Sequence, residues 1–193
     1  MTAAITPFKV TVCGIEELAG HCNARVTHVL SILDPEWPVP DAFGAFGEHE
    51  KLELRFHDVI ENIEGVVPPG AEHVSALLAF GRDLRAEPSH QAHLLVHCHA
   101  GVSRSTAALV LLFAQALPHR RASEVASEVV RIRPQAWPNL RMIELGDAML
   151  ARRGEIVAAV GEIYRARLAR DPDLAEAMAQ GARGREIALA RRR

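Results

Sequence analysis

A short segment of the chain combines a nucleophilic side chain with a phosphate-binding one. Cys98 and Arg104 are separated by five residues within the run 97–105, and glycine and small residues lie between them. A short apolar run precedes the segment and a longer one, 106–116, follows it, which predicts a strand, a tight loop and a helix. The N–H groups of such a loop and the helix N-terminus converge on one point and bind dianions. The segment therefore predicts a nucleophile at the bottom of an anion-binding loop.

The chemistry that these residue types allow is attack of a thiolate on phosphorus. The field of a helix N-terminus and an arginine stabilises a thiolate, so we expect Cys98 to be one. The guanidinium of Arg104 can bind two phosphoryl oxygens at once, and the loop N–H groups can bind the charge that develops on them. We expect Ser105 to assist departure of the sulfur in a second step, and His97 to order the loop from behind. The predicted phosphate-binding residues are His99, Ala100, Gly101, Val102, Ser103 and Arg104.

A further group must protonate the leaving oxygen and then activate a water molecule. Asp58 is the leading candidate, because it follows a predicted strand and begins a long loop. Asp41, in the loop after the second strand, and Glu61 are the alternatives. Since the loop and Arg104 supply the positive field, we expect this chemistry to need no metal and no other cofactor.

Four short apolar stretches predict the strands that position these residues. They cover residues 8–13, 26–33, 51–57 and 94–97, and helical spacing predicts helices over about 71–85, 106–116, 122–132 and 139–153. Alternating strands and helices predict a three-layer α/β/α fold around a mostly parallel sheet. Sites in such sheets lie at the carboxyl ends of the strands. The residues predicted to lie at those ends are Cys13, Asp34, Asp58 and Cys98.

The last part of the chain is predicted to be a helical extension. We divide the chain into a domain that carries the loop, 1–153, and an extension, 154–193. Five arginines against Glu186 follow from Arg183 onwards, which predicts a frayed, solvated basic tail.

The run Cys-His-Ala-Gly-Val-Ser-Arg-Ser resembles the active-site loop of cysteine-dependent protein tyrosine phosphatases and is similar to that of their dual-specificity branch. Supporting similarity includes residues 54–58, Arg133-Pro134 and Pro138-Asn139, so that it covers about 26–150. The resemblance implies a four-stranded parallel sheet in the order 1-4-2-3. It also implies Cys98 as nucleophile, Arg104 as phosphate binder and Asp58 as acid.

Three features depart from this family pattern. The gap between Asp58 and Cys98 is long, with 68–70 as the expected insertion. Glu144 stands where many relatives carry a glutamine near the site. The extension beyond about residue 153 has no counterpart in the pattern.

The function of the loop stays open between three alternatives, two of which are substrate classes and one of which is binding without activity. A phosphorylated protein is the first, and a small phosphomonoester such as a phosphoinositide or nucleotide is the second. The residues His99, Ala100, Val102 and Ser103 include no lysine, so the loop shows no preference for highly charged headgroups. A phosphate-binding protein without activity is the third alternative, which the presence of a nucleophile, an arginine and an acid disfavours.

A metal site and a redox role are two further hypotheses for the histidines and cysteines. A cluster of histidines around Cys98 suggests a metal site, but His97 and Cys98 point to opposite faces of a strand, and we expect no metal. The remaining members of the cluster are His90, His93 and His99. Cys13 is expected at the same sheet edge as Cys98 and could trap its oxidised form as a disulfide. A buried Cys13 that only packs is the alternative.

Composition and charge limit the classes of partner and the cellular location that we expect. The 193 residues carry a net charge of −2, which argues against a general nucleic-acid binder. The longest apolar run, 107–114, is too short to insert across a membrane, and residues 1–10 show no signal pattern. Three cysteines are too few for a disulfide scaffold, so we expect a cytoplasmic protein. The excess of arginine over lysine suggests a bacterial source.

Overall fold

Four apolar segments pair into one parallel sheet, as the strand and helix pattern predicts. The computed structural model describes residues 5–86 and 92–192 of the protein. The strands are β1 (Lys9–Cys13), β2 (His28–Leu33), β3 (Glu50–Arg55) and β4 (His93–His97). They lie in the order β1-β4-β2-β3 and all three neighbouring pairs are parallel. Every residue of β2 and β4 is buried, as expected for central strands of a sheet that is covered on both faces.

One face of the sheet carries the main core and the α-helices. The helix after β4 is apolar on all sides and packs at the centre of this layer, where it contacts its helical neighbours and the sheet. The α-helices are α1 (Ala71–Ala86), α2 (Arg104–Ala116), α3 (Ala122–Ile132), α4 (Leu140–Met149), α5 (Glu155–Arg170), α6 (Leu174–Gln180) and α7 (Gly184–Arg191).

The opposite face of the sheet is covered by a thinner layer. Two 3-10 helices, Ile15–His21 and Asp41–Ala45, pack there over a small cluster that includes Cys13, Val29 and Leu95. The predicted fold class and strand order are confirmed. The difference from the expected three layers is that short 3-10 helices, and not α-helices, form the layer on this face.

The end of the chain is ordered, which corrects the expectation of a frayed basic tail. Ile187 and Ala190 of α7 are buried in the main core together with Tyr164 of α5. Arg183, which precedes α7, is also buried. The amphipathic pattern of α7 is difficult to recognise in the sequence, because its apolar residues that pack on α5 are few and lie between charged ones. The division of the chain at residue 153 remains a prediction.

The helix predicted over 139–153 is shorter in the structure. Asn139 caps α4, since its side chain accepts a hydrogen bond from the amide of Met142 at 3.1 Å. The helix ends at Met149, and Ala151, Arg153 and Gly154 then adopt positive φ angles. Among the described residues, no helix combines the length and the apolar character needed to cross a bilayer.

Candidate active site

The loop between β4 and α2 turns its carbonyl groups away from its centre. Each carbonyl oxygen of residues 99–103 accepts a hydrogen bond from the surrounding protein, whereas the N–H groups of 99–104 have no acceptor within the described part of the chain. A loop with its carbonyls outside presents its N–H groups inside, which makes an anion-binding concavity. The donors are the amide of Ile15 to His99, the guanidinium of Arg133 to Ala100 and Gly101, the amide of Trp137 to Val102, and the amides of Ala107 and Asn139 to Ser103, at 2.9–3.3 Å.

Gly101 allows the loop to lie against the end of β1. Its φ is +68°, a conformation that residues with a side chain rarely adopt. A Cβ atom at this position would stand 2.5 Å from the carbonyl carbon of Cys13 and 2.8 Å from the amide nitrogen of Gly14. The glycine is therefore required both by the backbone conformation and by the close approach of β1.

Arg104 is held at the start of α2 with one edge of its guanidinium unpaired. It is 2 % exposed, and Nη1 donates to Asp34 Oδ1 and to the carbonyl of Phe56, both at 2.6 Å. Nε is buried and has no hydrogen-bond partner among the described residues. A buried, unpaired donor of a charged group is costly, so this edge fits an anion that the protein itself does not supply.

Cys98 lies beside Ser105 beneath this loop. The two side chains are 3.3 Å apart, Sγ to Oγ, and Cys98 is 3 % exposed. A hydroxyl at this distance can donate to a sulfur anion and stabilise it. The thiol and the serine are therefore in contact, while Arg104 begins the helix that follows the loop.

His97 lies on the opposite face of β4 from the main core. It is fully buried, its Nε2 lies 2.8 Å from the Ser31 hydroxyl, and its ring packs against Phe43. Burial lowers the pKa of His97 to about 4, so the ring is neutral at neutral pH. This position is behind the loop, as expected, although its effect on the loop remains a prediction.

Asp58 reaches the loop but is not free. Its Oδ1 accepts hydrogen bonds from the Ser103 hydroxyl at 2.7 Å and from the Asn139 amide at 2.9 Å. Its Oδ2 lies 3.4 Å from Nη1 of Arg183. Burial alone would raise the pKa of Asp58, but the charges of Arg183 and Arg104 and these two hydrogen bonds together hold it below its usual range.

The alternative acids lie elsewhere. Asp41 is exposed in the 3-10 helix on the far face of the sheet. Glu61 pairs with Arg185 at 2.7 Å on the surface. Glu144 binds the same arginine and stands outside the loop as well. Among the predicted acids, only Asp58 therefore contacts the loop in the described residues.

Three contacts around the loop could not be identified from the sequence. Asp34 was placed at a strand end without a role, and it forms an ion pair with Arg104. Arg133, known only as part of the similarity, holds two loop carbonyls and pairs with Glu17 at 2.8 Å. Arg183 was assigned to the tail. Its helical spacing of three residues from Glu186 was the one signal in the sequence that could have indicated an ordered ion pair.

Cys13 is fully buried at the end of β1 and packs in the smaller cluster. Burial raises the pKa of Cys13 to about 12, with a further contribution from Glu17. A thiol of this kind is a poor attacking group, which favours the packing role over the redox role. The disulfide with Cys98 remains a prediction.

Histidines near Cys98, which could suggest a metal site, contact other side chains. His93 lies 2.9 Å from the Thr11 hydroxyl, and His99 packs against Trp37 with ring centroids 4.5 Å apart. His90 lies outside the described residues. In residues 5–86 and 92–192, no group of three or more histidine, cysteine or carboxylate side chains is arranged to hold a metal ion.

Exposed apolar side chains occur in the two loops that follow β2 and β3. Trp37, which covers His99, is 43 % exposed although it is large and aromatic. The loop after β2 also exposes Val39, and the loop after Asp58 exposes Ile63 and Val67. Both loops that begin at the site therefore present apolar side chains to solvent.

Comparisons with known proteins agree on the fold. The chain is similar to human DUSP28, with a TM-score of 0.53 and 17 % identity over 74 % of this chain and 94 % of that one. It is similar to the Yvh1 phosphatase domain from Chaetomium thermophilum, with a TM-score of 0.52 and 20 % identity over 76 % and 93 %. It is also similar to PTPMT1 in complex with PI(5)P, with a TM-score of 0.51 and 14 % identity over 76 % and 94 %.

No family model and no curated protein matches the sequence. The chain nevertheless has the α/β fold of dual-specificity and tyrosine phosphatases, as the three solved structures show.

Proposed function

We propose that the protein is a phosphomonoester hydrolase that works through a phosphocysteine intermediate. The observation that carries this proposal is the set of unpaired donors above Cys98. The N–H groups of 99–104 and the buried Nε of Arg104 follow Cys98 directly in the chain, and among the described residues they have no acceptor. These donors match the oxygens of a phosphoryl group bound over a nucleophile.

In the first proposed step, the Cys98 thiolate attacks phosphorus. The sulfur–phosphorus bond forms, the bond from phosphorus to the ester oxygen breaks, and Asp58 donates its proton to that oxygen. Arg104 and the loop N–H groups bind the charge on the three remaining oxygens. In the second step Asp58 accepts a proton from water, water oxygen bonds to phosphorus, and sulfur leaves with a hydrogen bond from Ser105.

The low pKa of Asp58 is compatible with an acid only when substrate is bound. Arg183 and Arg104 hold the carboxylate in its charged form in the absence of an anion. A bound phosphate dianion places negative charge beside Arg104 and offsets part of that effect. We therefore propose that substrate binding raises the pKa of Asp58, so that this carboxylate takes up from solvent the proton that the first step needs.

Among substrates, we propose a phosphorylated protein, and phosphotyrosine in particular. The exposed ring of Trp37, which packs against His99, fits an aromatic ring next to the phosphate. A phosphoinositide is the second candidate, because the similar fold of PTPMT1 was solved in complex with PI(5)P. A panel of phosphopeptides, phosphoinositides and nucleotides tests this choice, and higher kcat/KM on a phosphoinositide than on every phosphopeptide would reverse it.

A bacterial, cytoplasmic setting belongs to the same proposal. It is supported by the excess of arginine over lysine and by the small number of cysteines.

Hydrolysis of an aryl phosphate by Cys98→Ser tests the activity itself. We expect a loss of about 10⁴-fold or more, because the nucleophile is removed. Cys22→Ser is the matched control, since Cys22 is half-buried and its thiol hydrogen-bonds to the carbonyls of Leu18 and Ala42, away from the loop. Equal activity of Cys98→Ser and Cys22→Ser would refute the proposal.

A further inference from the structure

The end of the chain supplies a charged side chain to the pocket. Nη2 of Arg183 donates to the Ser103 hydroxyl at 2.9 Å, and Nη1 lies 3.4 Å from Oδ2 of Asp58. Ser103 in turn donates to the other oxygen of Asp58 at 2.7 Å. Arg183, Ser103 and Asp58 therefore all contact one another, and these contacts connect the C-terminal helix to the loop and to the carboxyl group.

Arg183 is itself fixed by a fully buried partner. Its Nε and Nη2 donate to the Glu186 carboxylate at 2.7 and 2.8 Å. Glu186 also accepts hydrogen bonds from the indole of Trp137 and, at 3.1 Å, from the amide of Leu140. A buried ion pair is tolerated only with such additional hydrogen bonds. Arg183 is therefore held in one orientation, with its remaining donors directed at Asp58 and Ser103.

The charged and titratable groups around Asp58 come from several elements. Arg183 precedes α7, Arg104 begins α2, Asn139 precedes α4, and Ser103 and His99 belong to the loop. Tyr164 of α5 also lies within electrostatic range. Of these groups, Arg183 and Arg104 carry positive charge, and Arg104 is the one that a bound phosphate would partly neutralise.

We propose that Arg183 is a positioning residue, which holds the Asp58 carboxyl and the Ser103 hydroxyl in their places beside the Cys98 pocket, so that the C-terminal helix completes the active site. This inference rests on the proposed function, since it assigns a task within that reaction. The guanidinium of Arg183 contacts Asp58, Ser103 and Glu186. It acts through Asp58.

Arg183→Met tests the inference, with Arg191→Met as the matched control. Both changes remove one arginine from the same end of the chain, but Arg191 is exposed. For Arg183→Met we expect kcat on an alkyl phosphate to fall about 10- to 100-fold, because a misplaced acid protonates a poor leaving group badly. The loss on an aryl phosphate with a good leaving group is expected to be smaller, and Arg191→Met is expected to match the wild type on both.

The pH profile separates positioning from a merely structural role. Without Arg183 one positive charge near Asp58 is absent, so Asp58 keeps its proton to higher pH. The descending limb of kcat/KM on the alkyl phosphate should therefore move to higher pH in Arg183→Met. An unmoved limb, or an equal loss on both leaving groups, would overturn the inference.

A second variant guards against misfolding. Arg183→Met leaves Glu186 buried without its charged partner, which can destabilise the fold. The double variant Arg183→Gln/Glu186→Gln removes both charges and keeps groups that hydrogen-bond. It is expected to show the same limb shift, and a wild-type profile in a folded double variant would contradict the proposed role.

Failure of this inference can be told apart from failure of the proposed function. If the wild type hydrolyses no phosphomonoester, the proposed function is wrong. The carboxyl titration of Asp58, followed by ¹³C NMR in the wild type and the double variant, then still decides the inference. A higher titration midpoint in the double variant supports it, and an unchanged midpoint refutes it.

Discussion

The two sides of the pocket are built by different means. The proposed phosphate side is one contiguous loop, 98–104, in which the carbonyls of 99–103 accept hydrogen bonds and the N–H groups of 99–104 have no acceptor among the described residues. The acid side is assembled from three separate parts of the chain: Asp58, Asn139 and Arg183. The loop is therefore visible in the sequence as a motif, whereas the proposed acid side depends on the tertiary fold.

The phosphate side is expected to be the more sensitive to substitution. In Arg104→Lys, the charge is kept but the planar fork that binds two oxygens is lost. We expect kcat/KM on an aryl phosphate to fall about 10³-fold, as for loss of a donor to a developing charge. Arg131→Lys, on the surface of α3, is the control. A loss below about tenfold in Arg104→Lys would mean that the fork does not bind the phosphate.

The acid side is expected to respond according to the leaving group. Asp58→Asn keeps hydrogen bonding with Ser103 and Asn139 but removes the proton donor. We expect about a 10²- to 10³-fold loss on an alkyl phosphate and a much smaller one on an activated aryl phosphate, which leaves without help. Steady-state kinetics on both substrates measure the difference. A full rate on the alkyl phosphate would assign the acid role to another residue.

Arg133 binds the loop from outside, and its substitution is expected to have a smaller effect than substitution of Arg104 or Asp58. Arg133→Met removes the donors to the carbonyls of Ala100 and Gly101. Water can replace part of them at this half-exposed place, so we expect about a tenfold weaker binding of inorganic phosphate. Isothermal titration calorimetry measures the affinity, with Arg131→Met as control. A lower affinity in the control than in Arg133→Met would show that loop support is not the cause.

The smallest expected effect is that of Asp58 on the pH dependence of the free energy of unfolding. The pKa of Asp58 is lowered in the folded protein, so its charged form stabilises the fold above the unfolded-state pKa, and this contribution is lost as pH falls through the folded pKa. The wild type should therefore exceed Asp58→Asn in free energy of unfolding at neutral pH, and the gap should narrow in acid. A gap that stays constant from neutral pH to acid in denaturant titrations would contradict the ion pair with Arg183.

The same comparison explains what the sequence could predict. The strand positions follow from apolar runs, the strand order from the resemblance, and Cys98, Arg104 and Ser105 from their spacing in one loop. The role of Asp34 could not be predicted, because it arises only when the sheet order places the end of β2 beside the start of α2. Arg183 lies 80 residues from Ser103 along the chain, and no local pattern records their contact.

Transfer of the phosphoryl group to Cys98 is the step that defines the proposed mechanism. It is tested most directly by acid-quenching the wild type during turnover of an aryl phosphate and mapping the phosphate by mass spectrometry, with Cys98→Ser in parallel. We expect a phosphoryl group on Cys98 in the wild type and none in the variant, whose turnover is lost. Steady hydrolysis with no phosphate on Cys98, and unchanged in Cys98→Ser, would contradict the mechanism.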